Sequence, residues 1–315
     1  MKAFYNGALI PKPDLNVHCD TVAFKYGAMV FEGIRAYWNA ERRQLYVFRL
    51  DDHARRLEDS VRVMRMETSL TAGDFSRAVV AALEGNEIRE GAHIRQMVWV
   101  DGPGEMFVTG PVSQAVIVTP KAGWFAGAGV NAAISSWQRI SDVSMPPRVK
   151  CAANYQNGRL ALMQARLDGY DSAILLNAAG KIAEEARGCI FMARKGRVST
   201  PRVTDGILES ITRETLIRLF GELHAIEVAE REIDRTELYL AEEIFVCGSG
   251  LEVTPILSID RHSISGGRPG PLTQAIRDSY LKAARGELER YADWLTPVYR
   301  VATPPAPQPT GASAA

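Results

Sequence analysis

The spacing of apolar residues changes period repeatedly along the chain, and each change predicts an element. Ala92–Val100 (AHIRQMVWV) alternates with a period of two, which predicts a strand with His93 and Arg95 on one face. Residues 3–10 hold two short apolar runs around Asn6-Gly7, the signature of a hairpin. Further strands are predicted over 45–48, 115–119, 130–137, 173–176, 181–185, 189–193 and 198–200, and 34–37 leads into another. Helical spacing begins after Asp51 or Asp52, either of which would cap a helix to about Met66, and recurs over 75–83. Tyr155–Leu167 carries Leu160, Met163 and Leu167 as its apolar positions, with Gly169 as the stop. A helix beginning near Ser210 has Leu216, Ile217, Phe220 and Leu223 as its apolar face, with Ser210 or Thr212 able to cap it. The glycine-rich stretch 123–129 reads as a linker between two halves.

Composition narrows the class. A chain of 315 residues, 46% hydrophobic and 23% charged, makes one large domain or two with an ample core. The formal net charge is zero, so neither a polyanion nor an anionic membrane is implied as a partner. The four cysteines form no CxxC pair, which fits a reducing compartment rather than a disulfide framework. The five histidines lack ligand spacing, so no protein-bound metal is expected. The first seven residues lack the apolar run of a signal peptide, and no apolar stretch is long enough to span a bilayer. A soluble, cytoplasmic protein is the expectation. Neither a GxGxxG after a strand nor a P-loop is present.

Several residues can carry chemistry. Lys150 follows the irregular, Pro-containing segment 144–148 and precedes a helical pattern. A lysine at such a junction can be buried and aimed inward, where desolvation disfavours the charged form, as a Schiff-base lysine needs. Arg56 shares a helix face with Ser60, Val63 and Met64. Pointing inward it would need an anion, and a phosphate suits its planar fork, whereas lying over the helix flank it would need none. Arg55 has Asp59 four residues on, a solvated ion pair. Glu184 and Glu185 stand side by side on a strand, so one of them at most faces a given site. Such a carboxylate can hold a proton on a pyridine nitrogen, or both can be edge charges. The helix start near Ser210 and the turn Gly248-Ser249-Gly250 both offer backbone N–H groups to an anion, and both also serve as plain local structure.

Taken together, the stretches YGAMVFEGIRAY, FRLDDHARRL, SSWQR, the lysine four before Asn-Tyr, DSAILLNAAGKIAEE, SITRETL, ELYLAEEIF, CGSGLEVTPI and GGRPGPLT resemble the class IV aminotransferases, most closely the branched-chain type. The resemblance runs from about Phe4 to Pro297. It implies a two-domain fold-type IV enzyme of the α/β (α+β) class that binds pyridoxal 5'-phosphate. A smaller N-terminal α/β domain over 1–121, an interdomain loop over 122–130, a larger C-terminal pseudo-barrel domain over 131–300 and a disordered tail over 301–315 are the expected divisions. By position, Lys150 matches the lysine that bonds to the cofactor and shuttles the proton. Arg56 matches the phosphate arginine, Tyr155 the tyrosine near the phenolic oxygen, and Glu184 rather than Glu185 the partner of the ring nitrogen. Ile211, Thr212 and Ser249 match the rest of the phosphate cup. Tyr26, Phe31 and Arg95 fall where the family lines its substrate pocket, and Gly250 and Leu251 would offer N–H groups to the substrate α-carboxylate.

Some positions depart from the branched-chain pattern. His93 and Phe125 stand where tyrosines are usual, Cys189 replaces a common asparagine, and Gly248-Ser249-Gly250-Leu251 replaces a Gly-Thr-Ala-Ala type of turn. These changes touch the substrate pocket more than the cofactor site. The resemblance implies ping-pong transfer of the amino group of leucine, isoleucine or valine to 2-oxoglutarate in a homodimer or larger homo-oligomer. Alternatives on the same fold are a D-amino-acid or (R)-amine transaminase and an aminodeoxychorismate-type lyase. A non-catalytic protein with a decayed site is the alternative outside enzymes, and Lys150, Arg56 and Glu184 count against it.

Overall fold

The computed structural model describes residues 1–121 and 129–299. Phe125 and the 301–315 tail therefore lie outside the described residues, as does most of the 123–129 stretch.

The first half builds a seven-stranded sheet. Its strands are β1 (Lys2–Tyr5), β2 (Ala8–Pro11), β3 (Met29–Asn39), β4 (Gln44–Phe48), β5 (Ala92–Val100) and β6 (Val112–Pro120). Three helices accompany them: α1 (Val22–Tyr26), α2 (Leu50–Val63) and α3 (Ala72–Glu84). The second half supplies β7 (Val130–Gln138), α4 (Tyr155–Leu167), β8 (Ser172–Leu176), β9 (Ile182–Glu185), β10 (Cys189–Arg194) and β11 (Arg197–Thr200). It continues through α5 (Ile211–His224), β12 (Val228–Glu230), α6 (Arg235–Tyr239), β13 (Glu243–Gly248), β14 (Glu252–Ile259), β15 (His262–Ser263) and α7 (Pro271–Ala284). The last described strand, β16 (Leu295–Pro297), crosses back and pairs antiparallel with β4.

The first sheet runs β16-β4-β3-β5-β6-β1-β2, and the second runs β12-β11-β10-β13-β14-β7-β8-β9 with β15 on β14. The second sheet curls: a bridge between Glu185 and Gly188 brings the far edge, β9, to the start of β10. That curl matches the pseudo-barrel expectation. The alternation in β3 sends Val30, Ile34 and Ala36 to a face covered by α2 and α3, where Ile34 and Ala36 join Leu45, Ala78, Val79, Ala82 and Ile94, and Val30 joins Ala54, Leu57 and Phe75. Phe191, Phe220, Phe245, Tyr280 and Trp294 make the core beneath α5 and α7.

Three local expectations are corrected. Neither Asp51 nor Asp52 caps α2. Arg49 holds the cap position in the left-handed region (φ 53°), its N–H donates to the Trp294 carbonyl at 2.7 Å, and Asp52 accepts from its Nε at 2.5 Å. Arg55 pairs with Asp52 at 3.5 Å rather than with Asp59, which takes Arg62 at 2.7 Å. The side of α4 carrying Leu160, Met163 and Leu167 is its outer one, with exposures of 40, 48 and 87%. The buried side is Gly158, Ala161 and Ala165, because the helix lies so close to the sheet that a Cβ at Gly158 would meet the Ala186 carbonyl oxygen at 2.4 Å. Small residues, not large apolar ones, mark the inward face where backbones approach.

Candidate active site

The segment before α4 is pinned against β3 of the first sheet. The Phe31 N–H of β3 donates to the Lys150 carbonyl at 3.0 Å, the Ala152 N–H donates to the Met29 carbonyl at 2.9 Å, and Val30 bridges Cys151. The Lys150 N–H reaches the Ser60 hydroxyl of α2 at 3.4 Å. The backbone of Lys150 is therefore fixed by β3 and α2 of the first half, and its side chain enters a cleft. That cleft is lined by Arg56, Arg139, Lys150, Tyr155, Glu184, Cys189, Ser210, Ile211 and the turn 248–250, among others.

Lys150 Nζ lies 2.5 Å from the Tyr155 hydroxyl and 5.2 Å from the centre of the Phe31 ring. Phe31 and Tyr155 are themselves in contact, with ring centres 4.9 Å apart. On the opposite wall Glu184 is almost wholly buried. Arg139 Nη2 meets its Oε1 at 2.8 Å and the Leu208 N–H donates to its Oε2 at 3.1 Å. Burial raises the Glu184 carboxyl above its ordinary value, against the pull of Arg139. Glu185 faces away from the cleft, accepting from the Ser172 hydroxyl at 2.5 Å and from the Arg187 backbone at 2.7 Å. Burial also pushes the Cys189 thiol up to about 12, so this cleft-lining group is neutral.

Arg56 enters the cleft already committed on one edge. Its Nε and Nη2 donate to the two oxygens of Glu32, each at 2.7 Å, and its Nη1 donates to the Glu209 carbonyl at 2.7 Å. A guanidinium has five N–H groups, so two remain for a ligand. Glu32 is fully buried. Burial alone would raise it, but Arg56 and His53 hold it well below the usual carboxylate range. Glu32 in turn keeps Arg56 charged against the cost of burying it. His53 joins the same carboxylate, with Nδ1 at 2.7 Å from Glu32 Oε2, and its Nε2 lies 3.3 Å from the Ser249 hydroxyl.

The start of α5 closes the cup. Ser210 caps it by accepting from the Arg213 N–H at 3.3 Å, which leaves the N–H groups of Ile211 and Thr212 without a partner inside the helix. With Arg56 and Ser249 these form a donor-rich end of the cleft suited to an anion.

The pocket residues named from sequence fall unevenly. Arg95 lies over the Phe31 ring at 4.6 Å and makes no ion pair among the described residues. Burial lowers its pKa from the ordinary arginine value. His93, two residues back on the same face of β5, is held down to about 4, first by burial and then by Arg95 and Arg35. Gly250 lines the cleft, and Leu251 behind it is buried. Tyr26 does not join them: it is 42% exposed and donates to Glu105 at 2.9 Å.

Glu32, His53 and Arg139 are the site residues that reading the sequence missed. Glu32 had a signal, being the one carboxylate on the otherwise apolar face Val30, Ile34, Ala36 of β3. His53 and Arg139 had none. Among the described residues no group of three or more His, Cys, Asp or Glu could hold a metal ion, and no helix is long and apolar enough to cross a membrane.

Comparison with known proteins adds a family. A family model of class IV amino-transferases matches residues 29–259. A probable branched-chain-amino-acid aminotransferase of Aquifex aeolicus is 38% identical over 306 residues, covering 94% of this chain and 96% of that one. The crystal structure of a branched-chain aminotransferase from Thermoproteus uzoniensis with norvaline superimposes with a TM-score of 0.91 at 40% identity, covering 95% of this chain and 99% of that one. The crystal structure of a branched-chain amino acid aminotransferase from Thermobaculum terrenum in its PLP-form (holo-form) gives a TM-score of 0.89 at 41% identity, covering 95% and 98%.

Proposed function

The chain belongs to the class IV aminotransferases, and from that premise we propose that it transfers the amino group of leucine, isoleucine or valine to 2-oxoglutarate with pyridoxal 5'-phosphate as cofactor. The observation that carries this reading is the placement of Lys150 Nζ on the Tyr155 hydroxyl, across a cleft from Glu184 and beside a donor-rich cup. The donor set suits the cofactor at each of its groups: an amine for the carbonyl, a buried carboxylate for the ring nitrogen, and unspent N–H groups for the phosphate. The names of the relatives and the PLP-form of the Thermobaculum terrenum structure support the same assignment.

When bound, the cofactor supplies a carbonyl that exchanges amines and a ring that draws electrons from the bond being broken. The chain does the rest. Lys150 Nζ would hold the cofactor at its carbonyl and carry the α-proton, with Tyr155 steering it. Glu184, kept ionised by Arg139 and the Leu208 N–H, holds a proton on the ring nitrogen. Arg56, Ile211, Thr212 and Ser249 hold the phosphate. Phe31 forms an apolar wall for an aliphatic side chain, and Arg95 binds the far carboxylate of glutamate. Gly250 and Leu251 receive the α-carboxylate. The reading includes a cytoplasmic homodimer, supported by exposed apolar side chains such as Phe24, Met106, Phe107 and Leu167 that a second copy would cover.

Absorbance spectra of the purified protein and of Lys150→Ala, followed by separate additions of L-leucine, L-glutamate, D-alanine and an (R)-arylalkylamine, test it. The expected result is a cofactor band that L-leucine and L-glutamate convert and that the variant does not convert. Conversion by D-alanine or the amine alone overturns the substrate, and no band after reconstitution overturns the enzyme.

A further inference from the structure

His53 has no part in the reaction as proposed, yet its buried ring joins two groups that do matter there. Its Nδ1 is 2.7 Å from Glu32 and its Nε2 is 3.3 Å from the Ser249 hydroxyl. Glu32 is ionised and only accepts, so Nδ1 carries the ring proton of neutral His53. Nε2 is then an acceptor, and the Ser249 proton is the one that can fill it. That arrangement turns the Ser249 proton away from the cleft and presents an oxygen lone pair to a cup whose ligand is an anion. Protonation at Nε2 reverses it: the ring donates to Ser249 Oγ, and the hydroxyl proton is released to bond into the cup.

We infer that His53 is a positioning residue that takes one proton from solvent onto Nε2 when a phosphate ester enters the cup, and so converts Ser249 from acceptor to donor. This rests on the phosphate site proposed above. The charged groups facing the ring are Glu32 from β3, Arg56 from its own helix and Lys150 from the segment before α4. Ser249, from the turn after β13, faces it uncharged. Without an anion in the cup, burial and the two cations keep the ring neutral against Glu32. A phosphate dianion on the Ser249 side adds negative charge and favours the imidazolium.

Methyl phosphate is the probe, because it engages the cup without touching Lys150 chemistry or the ring-nitrogen site. At pH 8 a phosphate monoester is already a dianion, so proton uptake comes from the protein. Titration calorimetry of the full chain in two buffers of different ionisation enthalpy counts that uptake. Wild type is expected to take up close to one proton per ligand. His53→Gln, which places a permanent N–H donor near Ser249, is expected to bind within about threefold of wild type with no uptake. His53→Leu, which offers none, is expected to bind about tenfold more weakly. A purely structural role would weaken both variants alike, because both lose the Glu32 contact. Histidine 15N spectra of wild type alone decide the case if a variant does not fold: both His53 nitrogens must become protonated on saturation. Uptake equal in wild type and His53→Gln, or an unprotonated Nε2 at saturation, overturns the inference. Failure of wild type to load pyridoxal phosphate overturns the proposed function instead.

Discussion

Arg139 Nη2 stands 2.8 Å from Glu184 Oε1, and both side chains are only 9% exposed. The carboxylate survives as a charge in that setting because the guanidinium offsets part of its desolvation. In Arg139→Met the Glu184 carboxyl rises further, and it loses its grip on a ring-nitrogen proton. The turnover number is expected to fall about 10–100-fold, the loss of a hydrogen bond to a charged group, and the acid limb of the pH profile to move to higher pH. An acid limb left in place would mean that Arg139 does not act through Glu184.

The buried Glu32 predicts a pH-dependent stability difference. Its folded value lies far below the ordinary 4.5, so its contribution is whole above about pH 4.5 and is lost as the pH falls towards the folded value. Glu32→Gln strips Arg56 and His53 of their shared partner and should cost about 3–5 kcal/mol at pH 7. Urea unfolding of both proteins at pH 7 and below pH 4 measures the gap, which should narrow in acid. A gap of constant size would show that something other than the ionised carboxylate is responsible.

Arg95 carries its charge against an aromatic face and not against a carboxylate. Arg95→Ala is expected to raise KM for L-glutamate and 2-oxoglutarate by about 10–100-fold, the scale of one charged hydrogen bond, while KM for L-leucine changes little. Equal loss for both substrates would assign Arg95 to the fold and not to the carboxylate.

For His93 the sign comes from a folded value near 4 against an ordinary 6.5. The neutral ring is stable above about pH 6.5, and the protein loses that contribution as the pH falls towards 4. Relative to His93→Tyr, wild type should lose about 1–3 kcal/mol of stability over that interval. Chemical unfolding at pH 7 and pH 4.5 reads the difference, and an unchanged gap would place the ring in contact with water.

Much of the scaffold was legible because each element announces itself by its period: the strand Ala92–Val100, by alternation, and the helix Tyr155–Leu167, by helical spacing, have the ends their patterns imply. The face of α4 was not legible. Helical spacing of Leu160, Met163 and Leu167 says that a stripe exists, but not whether anything lies against it. The close approach at Gly158 is visible only once Ala186 is in place. The same reason hid the support beneath the site. Glu32 meets Arg56 across 24 residues and Arg139 meets Glu184 across a sheet, and neither separation carries a period. Residues 295–297 are too few to alternate recognisably, so the return of β16 left no trace in the pattern.

That return also orders events during synthesis. The outer edge of β4 is covered by Leu295, Thr296 and Pro297, and Tyr299 bonds back to Gln44 through both its N–H and its carbonyl. Tyr299 is translated 255 residues after the Gln44 it bonds. While the ribosome is still making the second half, the first sheet waits with an open strand edge, a surface on which another nascent chain can pair. A chain that stops before residue 295 keeps that edge for good. Loss of the final strand should therefore appear as aggregation of the N-terminal half, far in sequence from the truncation, and pelleting of a 1–294 fragment against the full chain would show it.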